Sequence, residues 1–260
     1  MIASDLLSFW QVNRLLPLAD DEGFRFGRTD AEVSGLQVCW KPTVDAIENA
    51  AANGCNLIVT HEELGFPPAY SGADVEAGLC GATARRIQSL ARHGVTVFRA
   101  HSSLDRYCIL DAFAEALRLA VPQMGGEDYA QRVYDIAPMR FGALCERVCA
   151  LMGVQTLRVC GNLQREVRRV GLPWGGVGIS ANANFVQDFI RMGADVLIGG
   201  ECEELPFLAA KDAGVCYIET GHAMSENPGL RIAAGRLARH FGVPVVFYDN
   251  GQPWTLLEEP

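Results

Sequence analysis

The sequence predicts a layered α/β fold made of two related α/β domains, with sheets flanked by helices. Three observations predict it. Short apolar runs of the kind found in buried parallel strands alternate with stretches of helical periodicity along the 260 residues. Four of these runs end directly in His, Asp or Glu. The same four runs form two matched pairs, each run preceded by a glycine, which indicates a weak internal duplication.

The first half of the chain begins this alternation and ends at a polar, glycine-containing stretch. Its expected elements are an amphipathic helix near 3–16, a strand at 35–38, a helix at 43–52, a strand at 56–60, a helix near 80–92, a strand ending at His101 and a helix at 111–120. Prolines and glycines between 67 and 78 predict a loop. Because Gly125, Gly126 and Glu127 interrupt the periodicity, we place the boundary near 122–128, with domains at 1–124 and 125–260.

The second half repeats the alternation. Its expected elements are a helix at 141–152, strands at 156–160 and 168–172, a helix near 183–192, a strand at 195–198, a helix near 205–213, a strand at 215–219, a long helix and a strand at 243–249. Asn227 is expected to cap the long helix with Pro228 in its first turn, which puts Glu226 at the helix edge. The last strand closes the sheet, and these last segments can pack back on the first domain.

Composition excludes several classes of partner. Hydrophobic residues make up 49% of the chain, which suits well-formed cores and excludes disorder. The net charge of −9 comes without a long basic stretch, so nucleic acid and anionic membranes are poor partners and a small molecule is expected. No apolar run approaches the roughly 18 residues that span a bilayer, and the start lacks a leader pattern, so we expect a cytoplasmic protein.

The nine cysteines predict a reducing environment without a disulfide framework. They are odd in number, scattered and free of any C-x-x-C pair. Cys145 and Cys149 lie four residues apart on a helix and are expected in the core. Cys202 is expected to be a poor nucleophile, because the carboxylates of Glu201 and Glu203 beside it would raise its pKa.

Polar side chains follow four apolar runs at the point where each run ends. The segments are NLIVTHEE (56–63), TVFRAHSSLD (96–105), DVLIGGECEE (195–204) and CYIETGHAMSE (216–226). In the second and the fourth, a histidine is followed four residues later by a carboxylate. Because ligands bind at the carboxyl ends of strands in open α/β sheets, we expect these ends to face a common cleft. The candidate side chains of this shared site are His61, Glu62, His101, Asp105, His222 and Glu226.

These candidate side chains are metal ligands by type. Imidazole with carboxylate is the ligand set of Zn, Mn, Fe and Co sites, and so many groups suit two metals better than one tetrahedral ion. A carboxylate can bridge two cations about 3.5–4 Å apart, and a water held between them loses a proton near neutral pH, which favours hydrolysis. Glu226 is the candidate bridge. The competing interpretation makes each histidine a hydrogen-bonding loop residue, and the matched pattern of three favours metal.

Two further features are less specific. The glycine-rich segment LPWGGVGISANANF (172–185) could present backbone N–H groups to a phosphate or carboxylate, but it matches neither the G-x-G-x-x-G nor the P-loop pattern. A tight turn explains it equally well. The acidic run Glu201, Glu203 and Glu204 is expected to be a solvated loop face, although Glu201 could lie just behind the metal ligands.

The order of these motifs resembles the NIF-three-like family of dinuclear metal-centre proteins, which includes the GTP cyclohydrolase I type 2 homologues. The similarity lies in His61 with its neighbour, A-H-S-S-L-D after the next strand, a G-G-E turn and, most specifically, G-H-A-M-S-E-N-P-G-L near the C-terminus. The resemblance implies two related α/β domains with two metals in the cleft between them, assembled as a toroidal homohexamer.

The resemblance also implies a ligand set. Carried over by position, with His101 close by, the family's metal ligands are His61, Glu62, Asp105, His222 and Glu226. The family usually has two adjacent histidines where this chain has His61 followed by Glu62. Because a carboxylate is a harder donor, the site is expected to lean toward Mn, Fe or Mg, away from Zn, with Co also a candidate. The usual T-G-E is here G-G-E (199–201), and the usual G-G-S-G is G-G-V-G (175–178).

Three functions are compatible with these residues. The first is a metal-dependent hydrolase of a nucleotide or another small phosphorylated or cyclic-amide substrate, in which Glu226 and His101 are catalytic and His101 orients substrate or moves a proton. The second is a non-enzymatic metal-binding regulator or metal-handling assembly. The third, a nucleotide-binding module that uses the glycine turn, rests on the weaker motif.

Overall fold

The computed structural model describes residues 1–13, 18–65, 81–125, 130–255 and 257. The predicted loop at 67–78 and the predicted Gly126 and Glu127 lie outside the described residues. The fold is mixed α/β, with two sheets flanked by helices, as the sequence predicts. Contacts divide the chain into a first unit, Met1–Ile109 with Gly229–Pro253, and a second unit, Leu110–Pro228 with Trp254–Pro260. A domain boundary between 124 and 125 stays a prediction.

The described elements alternate along the chain. The helices are α1 (Asp5–Asn13), α2 (Val44–Ala52), α3 (Gly81–His93), α4 (Ser102–Leu104), α5 (Leu110–Ala116), α6 (Phe141–Met152), α7 (Ala183–Arg191), α8 (Glu204–Asp212) and α9 (His222–Phe241). The strands are β1 (Gly23–Phe26), β2 (Leu36–Cys39), β3 (Leu57–Thr60), β4 (Thr96–Arg99), β5 (Pro122–Gly125), β6 (Gln131–Arg140), β7 (Arg158–Cys160), β8 (Glu166–Gly171), β9 (Val196–Gly199), β10 (Cys216–Glu219) and β11 (Val245–Tyr248). Within the described ranges, no helix has the length and apolarity needed to cross a membrane.

The first unit contains a five-stranded sheet in the order β1-β4-β3-β2-β11. Four strands are parallel, and β1 pairs antiparallel with β4 at one edge. Every residue of β2, β3 and β4 is buried, which is why these strands appear in the sequence as mainly apolar runs, with Gln37 and Arg99 as buried exceptions. Ile47 of α2 and Leu90 of α3 pack with Ile58 and Val97 of the sheet in one buried cluster.

The second unit contains a six-stranded sheet in the order β5-β6-β8-β9-β10-β7. Its centre, β8-β9-β10, is parallel, and the remaining strands pair antiparallel. Alternate residues of the central strands enter two separate clusters, so that Ile198 packs with Phe141 of α6 whereas Leu197 packs with Phe189 of α7. Both faces of this sheet are therefore covered by helices.

The glycines that precede the four predicted strands share one role. Gly54, Gly94, Gly193 and Gly214 all have positive φ, between 64° and 84°. In each case the next N–H donates to the carbonyl five residues earlier, as Val95 does to Leu90 at 3.0 Å. This left-handed ending of a helix favours glycine, which carries no Cβ. The matched glycine-strand pattern in the sequence is thus a repeated helix-to-strand turn.

The long helix begins earlier than the sequence predicts. The prediction that Asn227 caps it is wrong, because α9 starts at His222 and Pro228 lies inside it. Proline has no N–H and is usually found in the first turn, which is why the prediction placed the start there. The Ser225 N–H instead donates to the Gly221 carbonyl at 3.1 Å, one full turn before Pro228. Glu226 is therefore one turn inside the helix, on the same face as His222.

Two other predictions needed correction. The helix expected at 111–120 is observed as α5, Leu110–Ala116, so it ends four residues earlier than predicted. It is preceded by α4, which starts directly after His101, and by a π-helix, Asp105–Ile109. The polar break expected at 122–128 includes a strand, β5, which pairs antiparallel with β6. Neither β6 nor β1 was predicted. Only Val133 and Tyr134 of β6 are buried and the other residues are partly or fully exposed, so this strand lacks the buried apolar run that marks the parallel strands.

Candidate metal centre

The carboxyl ends of β3 and β4 carry the candidate ligands of the first unit. The His61 N–H donates to the Cys39 carbonyl at 3.3 Å and the Glu62 N–H to the Trp40 carbonyl at 2.7 Å, so pairing with β2 continues past the end of β3. The His61 side chain is only 1% exposed. The sheet therefore fixes the point at which this imidazole leaves the strand.

Three predicted side chains converge in the first unit. His61, Glu62 and His101 each offer one ligand atom, and these atoms lie within 4.8 Å of one another. The two imidazole ring centroids are 4.9 Å apart. Asp105 lies beside them, with its Oδ1 3.8 Å from Nε2 of His61. The spacing had suggested a pair between His101 and Asp105, whereas the structure brings Asp105 to His61.

The backbone that leads to Asp105 is irregular. The three-residue helix α4 follows His101, and the π-helix begins at Asp105 itself. Such turns are uncommon and are frequent at functional sites. The carboxylate predicted as a ligand thus occupies the first position of the most unusual turn in the described chain.

A buried guanidinium, that of Arg99, organises this end of the sheet. Its side chain is 5% exposed. Nε donates to the His61 carbonyl at 3.1 Å, and Nη1 donates to Asp21 Oδ2 at 2.6 Å and Glu63 Oε1 at 2.5 Å. Sequence reasoning missed Arg99, although one signal was available. A charge inside the apolar run TVFR must find partners, because burying it alone is costly.

The segment before β1, which contains Asp21 and Glu22, forms hydrogen bonds with the turn after β4, which contains His101 and Ser103. Asp21 Oδ2 accepts a hydrogen bond from His101 Nδ1 at 2.9 Å, and the Glu22 carboxylate accepts from the Ser103 N–H and hydroxyl at 2.8 and 3.0 Å. Burial raises the pKa of Asp21, but the Arg99 guanidinium and the hydrogen bond from His101 outweigh it and leave that pKa below its usual value. Asp21 is therefore ionised at neutral pH. The sequence held no signal for this contact across 80 residues.

In the second unit, β8, β9 and β10 end side by side, and α9 follows β10. His222 and Glu226 face one another on the first turns of this helix, with Nε2 of His222 3.4 Å from Oε1 of Glu226. The Glu226 side chain is 2% exposed, against 19% for His222. A buried carboxylate beside an imidazole is a strong donor pair for a divalent metal.

The G-G-E turn after β9 contributes directly to this pair. Glu201 Oε2 lies 3.0 Å from Nδ1 of His222, on the side of the ring opposite Glu226. The sequence suggested that Glu201 could lie behind the ligands, and the structure places it there. The Glu201 N–H donates to the Gly175 carbonyl at 2.8 Å, which anchors its backbone.

The glycine turn at 175–178 packs against the same two ligands. Gly175 has φ +52°, and a Cβ there would overlap Glu226 Oε1. A Cβ at Gly176 would lie 2.9 Å from Cε1 of His222. The Gly175 N–H donates to the Ser225 hydroxyl at 2.9 Å. Close packing against His222 and Glu226 explains why glycine is required at positions 175 and 176, in agreement with the tight-turn interpretation.

Replacing Gly200 with alanine is expected to destabilise the second unit by about 3 kcal/mol, at the upper end of the cost of overpacking. A Cβ at Gly200 would overlap the Gly175 carbonyl oxygen and lie 2.6 Å from the Gly175 backbone nitrogen, and backbone cannot move aside. Urea denaturation measures the change. The control is Gly235→Ala, where the nearest atom is the flexible tip of Arg239 at 3.6 Å and helix propensity favours alanine. Equal stability of the two variants would contradict the close packing.

Cys202 is not a nucleophile in this arrangement. Its side chain is buried, and burial raises the pKa of the thiol to about 12, with a smaller contribution from Glu219. The expectation of a poor nucleophile agrees with this pKa, but the principal cause is burial rather than the adjacent Glu201 and Glu203. The described cysteines are thiols and form no disulfide.

Each unit thus presents a similar chemical arrangement. An imidazole Nε2 faces a carboxylate oxygen, at 3.8 Å between His61 and Asp105 and at 3.4 Å between His222 and Glu226. Such pairs bind either a shared proton or a shared cation. The donor sets of imidazole nitrogen and carboxylate oxygen fit Mn, Fe, Co or Zn, and the carboxylates also suit Mg.

Comparison with known proteins gives consistent matches. A sequence model of the family described as Duf34/NIF3 (NGG1p interacting factor 3) matches residues 6–253. A Neisseria meningitidis protein named GTP cyclohydrolase 1 type 2 homolog is 29% identical over 215 residues, which cover 80% of each chain. A protein of the same name from Pyrococcus horikoshii is 23% identical and covers 84% of this chain and 85% of its own length.

Solved structures share the fold. A Bacillus cereus protein related to NIF3 superposes with a TM-score of 0.80 at 14% identity, covering 99% of both chains. Reduced HcgD from Methanocaldococcus jannaschii superposes with a TM-score of 0.76 at 19% identity, covering 96% of this chain and 98% of its own.

Proposed function

Because the chain belongs to the Duf34/NIF3 family, we propose that it binds two divalent metals and hydrolyses a nucleotide or another small phosphorylated or cyclic-amide substrate. The observation that carries the proposal is the repeated pair of an imidazole Nε2 facing a carboxylate, His61 with Asp105 and His222 with Glu226. The name shared by the relatives, GTP cyclohydrolase 1 type 2 homolog, makes GTP one nucleotide to test.

Five side chains are proposed as metal ligands. They are His61, Glu62, Asp105, His222 and Glu226. The buried carboxylate of Glu226 would serve as the ligand that the two ions share. A bound divalent metal would lower the pKa of a water and polarise a substrate oxygen. Because Glu62 adds a hard anionic donor, we propose Mn, Fe or Mg as the preferred metals, with Co and Zn binding less well.

The chain's own residues supply the remaining chemistry. His101 is 37% exposed, whereas His61 beside it is 1% exposed, so His101 is the imidazole that solvent and substrate can reach. We assign it to orient substrate or to move a proton at Nε2, since Nδ1 is occupied by Asp21. Glu226, one turn from His222, would serve both as ligand and as catalytic carboxylate.

Protein purified without chelator is expected to contain about two divalent ions per chain, since the proposed ligands suffice for two. Elemental analysis of metal content checks this, followed by a screen of nucleotides, phosphoesters and cyclic amides with Mn, Fe, Co, Zn and Mg. Treatment with EDTA should remove both metal and turnover, and returning the metal should restore them. A fully active protein without metal would exclude the proposed mechanism.

The competing function is a non-enzymatic metal-binding regulator or metal-handling assembly. The family description, an interacting factor, favours it. Under this alternative the metal ligands would affect partner binding or assembly, and no substrate in the screen would turn over. We also propose, from the family resemblance, that the chain assembles as a homohexamer. A cytoplasmic location is proposed separately, from the composition of the chain.

A further inference from the structure

Three strand-end histidines share one feature beyond their place in the fold. In each, Nδ1 faces an oxygen atom: the Ala100 carbonyl at 3.3 Å for His61, the Asp21 carboxylate at 2.9 Å for His101 and the Glu201 carboxylate at 3.0 Å for His222. The Asp21 and Glu201 contacts come from different places in the two units, the segment before β1 and the turn after β9. A contact between a histidine Nδ1 and a carboxylate is therefore present in both units, although the carboxylate belongs to a different element in each.

These oxygen atoms determine which ring nitrogen carries the proton. A carbonyl or an ionised carboxylate only accepts hydrogen bonds, so each neutral imidazole must donate from Nδ1–H. The lone pair is then on Nε2. In His61 and His222, Nε2 is the atom that faces the carboxylates of Asp105 and Glu226. Nε2 is thus the nitrogen available to a metal or to a reacting proton.

We propose that Asp21 and Glu201 are positioning residues, which hold His101 and His222 in the Nδ1–H tautomer and orient Nε2 toward the metals and substrate. The inference rests on the proposed function for the role of Nε2, but the tautomer itself does not. Hydrogen bonding of the second ring nitrogen to a carboxylate is a general means of orienting metal-binding histidines and raising their basicity.

The two positioning carboxylates differ in rigidity. Asp21 is held by Arg99, whose Nη1 donates to its Oδ2 at 2.6 Å, and Arg99 is buried. Glu201 is fixed through its backbone, and its side chain is 47% exposed. Asp21 is 42% exposed, so solvent reaches both carboxylates to a similar extent, and the difference between them is the hydrogen bond that the buried Arg99 donates to Asp21. The loss of Asp21 should therefore change its histidine more than the loss of Glu201 does.

The first test is nitrogen-15 NMR of the histidine rings in metal-free protein. Wild-type His61, His101 and His222 are each expected to show the Nδ1–H tautomer. In Asp21→Ala, His101 alone should shift toward the Nε2–H form, and in Glu201→Ala, His222 alone should do so. His61 is the internal control because a backbone carbonyl holds it. An unchanged tautomer in both variants, or an Nε2–H tautomer in the wild type, overturns the proposal.

The second test is metal affinity, measured by chelator competition with Mn. Glu201→Ala is expected to bind Mn about 10–100-fold more weakly, as is usual when the partner of a metal-binding histidine is removed. Asp21→Ala should change the affinity less, because His101 is not among the proposed ligands. Asp21→Asn and Glu201→Gln retain an acceptor oxygen and should recover the tautomer, and Glu201→Gln should also recover most of the affinity. The controls Asp30→Ala and Glu166→Ala remove carboxylates that pair with exposed arginines, and should change neither measurement.

The outcomes separate this inference from the proposed function. If the tautomers are as expected but the wild type binds no metal, the proposed function fails and the positioning of the rings stands. If the wild type binds metal and Glu201→Ala binds it equally well, the positioning role of Glu201 fails and the proposed function stands. If Asp21→Ala unfolds, Glu201→Ala and Asp21→Asn still decide the question.

Discussion

Glu226→Gln is expected to lose more than about 100-fold in metal affinity, together with any hydrolytic activity. Removing a mere hydrogen-bonding partner of a metal ligand costs about 10–100-fold, and Glu226 is a proposed ligand and bridge. The amide has the shape of the carboxylate but no charge, so it cannot balance two cations. The side chain is 2% exposed, and no water can readily replace it. Metal analysis and chelator competition measure the loss.

Two controls make this result specific. Glu166→Gln changes an exposed glutamate in the same unit, paired with Arg168, and should keep both metals and full activity. Thermal unfolding of Glu226→Gln should show a folded protein, since glutamine has nearly the same volume. A folded Glu226→Gln protein that still binds two metals at wild-type affinity would remove Glu226 from the ligand set. Loss of assembly or partner binding, with no turnover in the wild type, would favour the regulator.

Arg99→Met is expected to lower the free energy of unfolding by about 3–5 kcal/mol, the cost of removing one partner of a buried ion pair. Methionine fills a similar volume but leaves the His61 carbonyl and the carboxylates of Asp21 and Glu63 without their shared donor. Because both carboxylates are more than a third exposed, solvent relieves part of this cost and the lower end is expected. Urea denaturation measures the change.

The pH dependence of stability provides a second measurement for Arg99. The pKa of Asp21 is lowered in the folded protein, so its stabilisation is present above the unfolded pKa of about 3.9 and is lost as pH falls through the lower folded value. Arg99→Met should weaken this acid-dependent loss. The control is Arg28→Met, whose side chain is 76% exposed, and it should leave the free energy of unfolding and its pH dependence essentially unchanged. Equal effects of the two substitutions would show that Arg99 does not organise the site.

Short apolar runs in the sequence predicted most of the parallel strands. The residues of β3, β4 and β9 and the first three of β10 are buried, so each of these strands contains at least two consecutive apolar residues, although β4 ends in Arg99 and β10 in Glu219. The glycines before them mark helix ends, because only glycine adopts positive φ readily. β1, β5 and β6 escaped prediction because antiparallel strands with exposed residues lack this signal.

The candidate ligands could be predicted from the sequence for a related reason. A parallel strand that ends in a histidine or a carboxylate delivers that side chain to the edge where ligands bind, and this holds for His61, His101 and His222. Their local spacing did not reveal their partners. His101 precedes Asp105 by four residues, yet the Asp105 carboxylate lies against His61, at the point where the backbone passes from α4 into the π-helix.

The sequence by itself determined the α/β class and the residue types of the candidate metal centre, because burial and backbone conformation leave local patterns in a chain. Only the tertiary structure decided which side chains form hydrogen bonds with those residues. Asp21 bonds to His101, Arg99 bonds to Asp21 and Glu63, and Glu201 bonds to His222. These contacts join residues that are 21 to 80 positions apart. Hydrogen bonds across such separations depend on how strands and turns meet in space, and no periodicity in one sequence records them.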